Sequence, residues 1–328
     1  MSAYACTRMV CIGLLRKVRF MVLDVPNERS SHVRPVPKGG GLAILVGVLV
    51  GVLLWTIVPD SFGGLTFRMS ATGIGMVVLL AGMAALGFAS DRRDMSPAIR
   101  LAVQAMLCAV AAWVLHVPVP WVPVWTLGMV AVVNFYNFMD GIDGIAAVQG
   151  MVSGLTIAAA GVAINLPEAV VIGIVLACAC LGFLAFNVSP AKMFMGDVGS
   201  YSIGFILVVT VVYDPRLVVP VVFSLAVFLF DTTVTLARRV WRRERWYAAH
   251  RSHFYQRAVR TGFSHMQVTA VVGGLGIILG GMGVLFVTAG TGMRIVLLVC
   301  AVLFPTAAAV LILHRERQMM RFHRIIIP

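Results

Sequence analysis

Long apolar segments separated by short polar ones dominate the pattern of this chain. A helix needs about 20 apolar residues to cross the hydrocarbon core of a bilayer. The pattern predicts ten such helices, at residues 42–58, 67–89, 98–116, 120–138, 145–163, 168–186, 200–213, 216–237, 266–288 and 293–313. An eleventh segment, near residues 4–23, is interrupted by four basic residues, so we expect a truncated span or an interfacial helix there. The predicted fold is therefore all-α, a polytopic membrane protein with about 10–11 transmembrane helices.

Composition agrees with this class of protein. Hydrophobic residues make up 60% of the 328 residues and charged residues only 12%, whereas soluble domains carry roughly 25% charged residues. Neither a linker nor a repeat divides the chain, so residues 1–328 are predicted to form a single membrane domain. The six cysteines show neither zinc-ligand spacing nor a disulfide framework.

The basic residues indicate how the chain is oriented. Of 26 Lys and Arg residues, eight lie in the 238–265 segment, and only Arg68, Arg216 and Arg294 lie next to the loops on the opposite side. Positive charge concentrates on the cytoplasmic side of membrane proteins. The longer polar loops are therefore predicted to face the cytoplasm and to carry the active site. The net charge of +13 follows from this anchoring, and nucleic acid is not an expected partner.

The most informative motif, at residues 134–144, ends an apolar segment. Asn134, Asn137, Asp140 and Asp143 recur every three residues, which would place them along one side of a helix. Acidic groups beside a membrane span are costly unless they meet a cation, water or a polar substrate. Helix capping is the simpler alternative, but four polar groups exceed what caps need. We interpret the motif as part of a substrate site.

Two further acidic motifs follow other apolar segments. Asp197 lies between Gly196 and Gly199, which leave room for a ligand close to the backbone. Mg²⁺ prefers carboxylate oxygens combined with substrate phosphates, so Asp197 suits a metal site; capping of the helix that begins near Ser200 is the alternative. Asp91 directly follows an apolar segment and is expected near the membrane interface, where pairing with the neighbouring arginines is the competing interpretation.

Two basic motifs complete the candidate chemistry. Three glycines follow Lys38 at the start of a helix, which favours either an anion site made of backbone amides or a closely packed helix start. His250, His253 and Arg257 are spaced for a phosphate clamp or an acid–base group, unless this segment is only a basic interfacial helix. Asp231 lies inside an apolar span and should face the protein interior, where it holds a polar network or contacts substrate.

Four motifs, at residues 24–32, 137–144, 195–200 and 250–257, occur in the order that resembles the polyprenyl-phosphate N-acetylhexosamine-1-phosphate transferases of glycosyltransferase family 4, most closely the O-antigen-initiating branch. The resemblance implies transfer of an N-acetylhexosamine-1-phosphate from a UDP-sugar to undecaprenyl phosphate, with release of UMP. It also implies a multi-pass protein of the bacterial inner (plasma) membrane with a cytoplasmic active site. Members are often dimers, so a homodimer is an expected assembly.

The resemblance also implies roles for individual residues. Five are expected to act in catalysis: Asp91, Asp140, Asp143, His250 and His253. Six are expected to bind substrate: Lys38, Arg29, Asn134, Asn137, Asn187 and Arg257. The expected cofactor is Mg²⁺ (or Mn²⁺), with Asp197 and Asp91 as its ligands.

One position departs from the family pattern. The family has a pair of aspartates where this chain has Ser90 followed by Asp91. Either Asp91 carries the role of the pair alone, or the chain is a catalytically degenerate member. A transporter is a third alternative, but its ionisable groups would lie near the middle of the bilayer, often in repeated halves, whereas here they cluster in the loops of one side.

Overall fold

The computed structural model describes residues 1–17, 22–24, 34–57, 70–93, 95–245 and 250–326, with the backbone alone for 320–326. Two short strands, β1 (Val22–Asp24) and β2 (Val36–Lys38), pair antiparallel. The remaining regular structure in these ranges is helical. Arg29, a predicted substrate contact, lies outside the described residues.

The α-helices, in chain order, are α1 (Ser2–Arg16), α2 (Gly40–Ile57), α3 (Ala71–Arg92), α4 (Pro97–Val114), α5 (Val122–Phe138), α6 (Ile145–Ala163), α7 (Pro167–Asn187), α8 (Gly196–Tyr213), α9 (Val218–Ser224), α10 (Ala226–Trp241), α11 (Phe254–Arg260), α12 (His265–Thr288) and α13 (Thr291–Ile326). Short 3₁₀ turns precede α5 and α9.

The helices confirm the predicted all-α membrane fold. Within the described ranges, nine helices are long and apolar enough to cross a membrane. A tenth candidate is the pair Pro215–Ser224 and Ala226–Trp241, which bends by 74°; the continuous span predicted at 216–237 is thus broken. The segment predicted near 4–23 forms α1, whose 15 residues reach only about 22 Å at the rise of an α-helix.

Local sequence signals explain where several helices begin. The hydroxyl of Ser96 accepts a hydrogen bond from the backbone N–H of Ile99 at 3.3 Å, and Pro97 occupies the first position of α4. Ser264 and Gln267 form a reciprocal capping box at the start of α12. These side chains satisfy donors that a helix leaves unpaired at its N-terminus.

Helix α8 is the centre of the bundle. Of its 18 residues, 14 are buried, and it packs against α2, α3 and α5. Side chains near the C-terminal ends of α3 and α5 reach the first turn of α8. This meeting of two helix ends with one helix start brings together motifs that are far apart in the sequence.

Candidate active site

Asp197, in the first turn of α8, is the residue on which four helices converge. Its Oδ2 accepts a hydrogen bond from Ser90 Oγ of α3 at 2.6 Å, and its Oδ1 accepts one from Asn137 Nδ2 of α5 at 2.9 Å. Arg100 of α4 places Nη1 3.8 Å from Oδ2. The Asp197 side chain remains 23% exposed, so it is held in place and still open to a ligand.

Asp91 lies beside Asp197, more deeply buried. Its Oδ2 accepts a hydrogen bond from the backbone N–H of Val198 at 3.3 Å, and Lys38 Nζ lies 3.6 Å from its Oδ1. Gly196 has a φ of +71°, and a Cβ there would lie 2.6 Å from Asp91 Oδ2. Glycine therefore permits both the left-handed turn and the close approach of the carboxylate.

Negative charge at this site is only partly balanced. Burial, followed by the charges of Asp197 and Asp91, raises the pKa of Asp140 to about 7. Burial alone would lower the pKa of Lys38, but Asp24, Asp91 and Asp197 outweigh it, so the pKa lies above its ordinary value and the lysine stays charged. A cation would relieve the remaining repulsion among the carboxylates.

The donor set suits magnesium shared with a substrate. No group of three or more His, Cys, Asp or Glu side chains in the described ranges could hold a metal ion by itself. Mg²⁺ is commonly held by one or two carboxylates together with substrate phosphates and water. Asp91 and Asp197 match that smaller requirement.

The glycines after Lys38 pack the start of α2 closely. The backbone N–H groups of Gly39 and Gly40 donate to the carbonyl of Phe194 at 3.2 and 3.0 Å. A Cβ at Gly41 would lie 2.1 Å from the backbone nitrogen of Gly199. Of the two alternatives for this motif, the geometry favours close helix packing, because these amides are engaged within the protein.

Two of the residues predicted to bind substrate, Asn134 and Asn187, form hydrogen bonds within the protein. Asn134 Nδ2 donates to Gln104 Oε1 of α4 at 2.6 Å. Asn187 is buried; its Oδ1 accepts from the Gly144 N–H at 3.0 Å and its Nδ2 donates to the Met193 carbonyl at 2.9 Å. Asn187 therefore ties the 139–144 loop to the segment before α8.

Asp143 is linked to α12 by a histidine that the sequence analysis did not single out. Its Oδ2 lies 3.4 Å from His265 Nδ1 and accepts a hydrogen bond from the Ala191 N–H at 3.2 Å. Burial alone would raise the pKa of Asp143, but hydrogen bonds from His265, Ser189 and Ala191 hold it below its ordinary value. Asp143 is thus an ionised acceptor that joins three segments.

Asp231 holds a polar network, the first of the two alternatives predicted for it. It is 3% exposed and accepts hydrogen bonds from the backbone N–H groups of Phe254 at 2.9 Å and Tyr255 at 3.0 Å. His253 Nδ1 lies 3.0 Å and Thr235 Oγ1 3.1 Å from its Oδ1. The carboxylate therefore caps α11 from α10 and fixes the His253 ring.

Helix α11 is docked on the loop that carries Asp140. Tyr255 Oη donates to the carbonyl of Phe138 at 3.0 Å, and a Cβ at Gly141 would lie 2.0 Å from that Oη. The rings of His253 and Phe138 stack with centroids 6.2 Å apart. His253 is only 2% exposed, so it forms the wall between α11 and this loop.

The other two predicted residues of this segment, His250 and Arg257, contact neighbouring side chains of the protein. The His250 ring is 4.9 Å from that of His253. Burial, then the charges of His253 and nearby arginines, lowers the pKa of His250 to about 4, so the ring is neutral near pH 7. Arg257 is buried and forms an ion pair with Glu316 of α13.

The family assignment rests on comparisons with known proteins. The model of glycosyl transferase family 4 matches residues 73–214. The chain is 31% identical over 299 residues to the decaprenyl-phosphate N-acetylglucosaminephosphotransferase of Mycolicibacterium smegmatis, a match that covers 78% of this chain and 73% of that protein. The chain belongs to glycosyl transferase family 4.

Two further relatives also match much of the chain. A probable undecaprenyl-phosphate N-acetylglucosaminyl 1-phosphate transferase of Bacillus subtilis is 28% identical over 277 residues, which is 78% of this chain and 74% of that protein. A phospho-N-acetylmuramoyl-pentapeptide-transferase of Thermosynechococcus vestitus is 29% identical over 228 residues, which is 61% of this chain and 58% of that protein. The predicted family is therefore confirmed, without specifying a branch, and the transporter alternative is set aside.

Several residues that support the candidate site were given no role by sequence reasoning. Arg100 contacts Asp197, and Gln104 contacts Asn134. Their i, i+4 spacing places both polar side chains on one face of an otherwise apolar helix, which could have indicated a shared role. Glu316 carried another signal, because it is the only acidic residue after Glu244. His265 had no comparable signal, since a polar residue at a helix start is ordinary.

Proposed function

We propose that this protein transfers an N-acetylhexosamine-1-phosphate from a UDP-sugar to undecaprenyl phosphate, and so initiates a cell-surface polysaccharide of the O-antigen type. The observation that carries the proposal is the convergence of Asp197, Asp91, Asn137 and Lys38 at the ends of apolar helices. Two of the relatives named above act, by their names, on polyprenyl phosphates. A site at the end of membrane helices lets a lipid acceptor stay in the bilayer while its phosphate meets a soluble donor.

The proposed reaction is a phosphoryl transfer. A phosphate oxygen of undecaprenyl phosphate forms a bond to the β-phosphorus of the UDP-sugar, and the bond from that phosphorus to the bridging oxygen breaks. UMP leaves with that oxygen, and the sugar-1-phosphate remains on the lipid as a diphosphate. The anomeric C–O bond stays intact, so the anomeric configuration is retained. Positioning and charge stabilisation supply most of the catalysis in such reactions.

The side chains of the site divide this work. Asp197 and Asp91 would hold Mg²⁺, which when bound neutralises charge on the diphosphate. Lys38 lies beside Asp91 and Arg100 beside Asp197, so each brings positive charge to the cluster. Asp140, with a pKa of about 7, is suited to exchanging a proton with the acceptor phosphate near neutral pH.

The placement in the cell follows from the charge pattern. The segment at 238–265 carries eight basic residues and includes α11, which is docked on the Asp140 loop. By the positive-inside tendency this side faces the cytoplasm, where nucleotide sugars are made. We therefore assign the protein to the bacterial inner membrane with its active site on the cytoplasmic side.

The test is UMP release by detergent-purified protein with Mg²⁺, undecaprenyl phosphate and a panel of UDP-N-acetyl sugars. We expect release that depends on the lipid, that one donor supports best, and that Asp197→Asn abolishes. Asp214→Asn is the matched control, because Asp214 is paired with Arg216 away from the cluster. Lipid-independent release, or full activity in Asp197→Asn, would refute the proposal. Absence of UMP release with every donor would favour the alternative that the chain is a catalytically degenerate member of the family.

A further inference from the structure

We propose that Ser90 is a positioning residue that holds the Asp197 carboxylate in the orientation needed for the metal ion. The inference rests on the proposed function, because the metal belongs to that proposal. Ser90 Oγ lies 2.6 Å from Asp197 Oδ2, and Arg100 Nη1 lies 3.4 Å from the same hydroxyl. A guanidinium only donates hydrogen bonds. Of these two neighbours only the Asp197 carboxylate can accept, and the Ser90 hydroxyl donates to it.

The carboxylate of Asp197 is fixed from two sides. Ser90, in the last turns of α3, donates to Oδ2, and Asn137, at the end of α5, donates to Oδ1. The Asn137 amide is itself oriented, because its Nδ2 also lies 2.9 Å from Ser200 Oγ. Two donors on opposite oxygens set the plane of the carboxylate, and each oxygen keeps a lone pair for a ligand. Partners of this kind orient metal ligands and tune their affinity.

A hydroxyl at position 90 also reduces the charge that a cation would meet. A carboxylate at the place of Ser90 Oγ would face Asp197 Oδ2 with no donor between them, and two like charges so close repel strongly. Serine avoids this repulsion in the metal-free protein, while Arg100 adds a positive charge to the same cluster. The free protein should therefore bind a divalent cation weakly and bind it better once the diphosphate of the donor is present.

The experiment measures Mn²⁺ affinity by electron paramagnetic resonance of free Mn²⁺, with and without UDP-N-acetylglucosamine. Ser90→Ala should weaken binding by about 10- to 100-fold, the range typical for loss of a partner that orients a ligand. Ser90→Thr keeps the hydroxyl and should restore most of the affinity. Ser90→Asp adds a carboxylate and should tighten binding to the donor-free protein by about 10-fold, because affinity follows ligand charge.

The controls separate this inference from the proposed function. Ser70→Ala makes the same change at the other end of α3, where Ser70 caps the helix, and its Mn²⁺ affinity should equal that of the unmodified protein. Unchanged affinity in Ser90→Ala, with Asp197→Asn still defective, would overturn the role of Ser90 and leave the metal site standing. Equal Mn²⁺ binding by Asp197→Asn and the unmodified protein would instead overturn the metal site itself. Thermal melting of each variant shows whether a loss comes from unfolding.

Discussion

Replacing Asp231 by asparagine should release the start of α11 while leaving the membrane helices intact. Asp231 Oδ1 accepts from the Phe254 N–H and from His253, and Oδ2 accepts from the Tyr255 N–H. An asparagine has one acceptor oxygen and one donor NH₂ group. In either orientation of the amide, the NH₂ group faces a backbone N–H that has lost its acceptor.

The magnitude follows from the better of the two orientations. With the amide oxygen kept at the Oδ1 position, the Tyr255 N–H is left without an acceptor in a buried place, which costs about 1–3 kcal/mol. The bond to His253 loses the charge that strengthens it, which adds about 1 kcal/mol. The docking of α11 should therefore weaken by about 2–4 kcal/mol. The equilibrium constant for docking then falls by about 30-fold or more, since 1.4 kcal/mol is about tenfold.

Hydrogen exchange followed by mass spectrometry is the direct assay. In Asp231→Asn, amide protection in peptides covering residues 250–262 should fall by about 30-fold or more, while protection in α8 stays unchanged. Asp214→Asn is the matched control, because Asp214 pairs with a guanidinium that is 58% exposed and exposed ion pairs contribute little to stability. Unchanged protection at 250–262, or an equal loss in Asp214→Asn, would refute the reasoning.

Three further predictions concern other parts of the molecule. Gly41→Ala should lower the melting temperature sharply, because the new Cβ would lie 2.1 Å from the α8 backbone. A Cβ at Gly281 would have no atom within 4 Å, so Gly281→Ala should be neutral or slightly stabilising. Equal melting temperatures of the two variants would contradict the packing argument. The pKa of His250 falls from 6.5 to about 4 on folding, so the folded state takes up a proton less readily, and stability should drop as the pH falls through that interval. The melting temperature of His250→Gln should fall less over the same pH range. Parallel curves for the two proteins would refute this assignment. Glu316→Gln removes the charged partner of Arg257 and should destabilise the protein by about 1 kcal/mol, seen as a lower denaturant midpoint. An unchanged midpoint would contradict a stabilising role for this ion pair.

The sequence by itself determined the class of fold and the family of chemistry. Runs of apolar residues of membrane-spanning length are a local property, and so are the Ser-Pro and Ser-x-x-Gln signals that begin α4 and α12. The motif residues Asn137, Asp91 and Asp197 could be selected because polar groups beside apolar spans are costly and need a reason. Their order along the chain then identified the family.

Only the tertiary structure decided which of these residues work together. Ser90 and Asp197 are 107 positions apart, and their contact depends on how α3 packs against α8, which no local pattern records. Other tertiary contacts engage the amides of the glycines at the start of α2 and give Asn187 both of its partners within the protein. The length of an apolar segment determines that it forms a membrane helix, whatever its position in the bundle. A hydrogen bond instead needs its partner within about 3 Å, and the fold decides which residue that is.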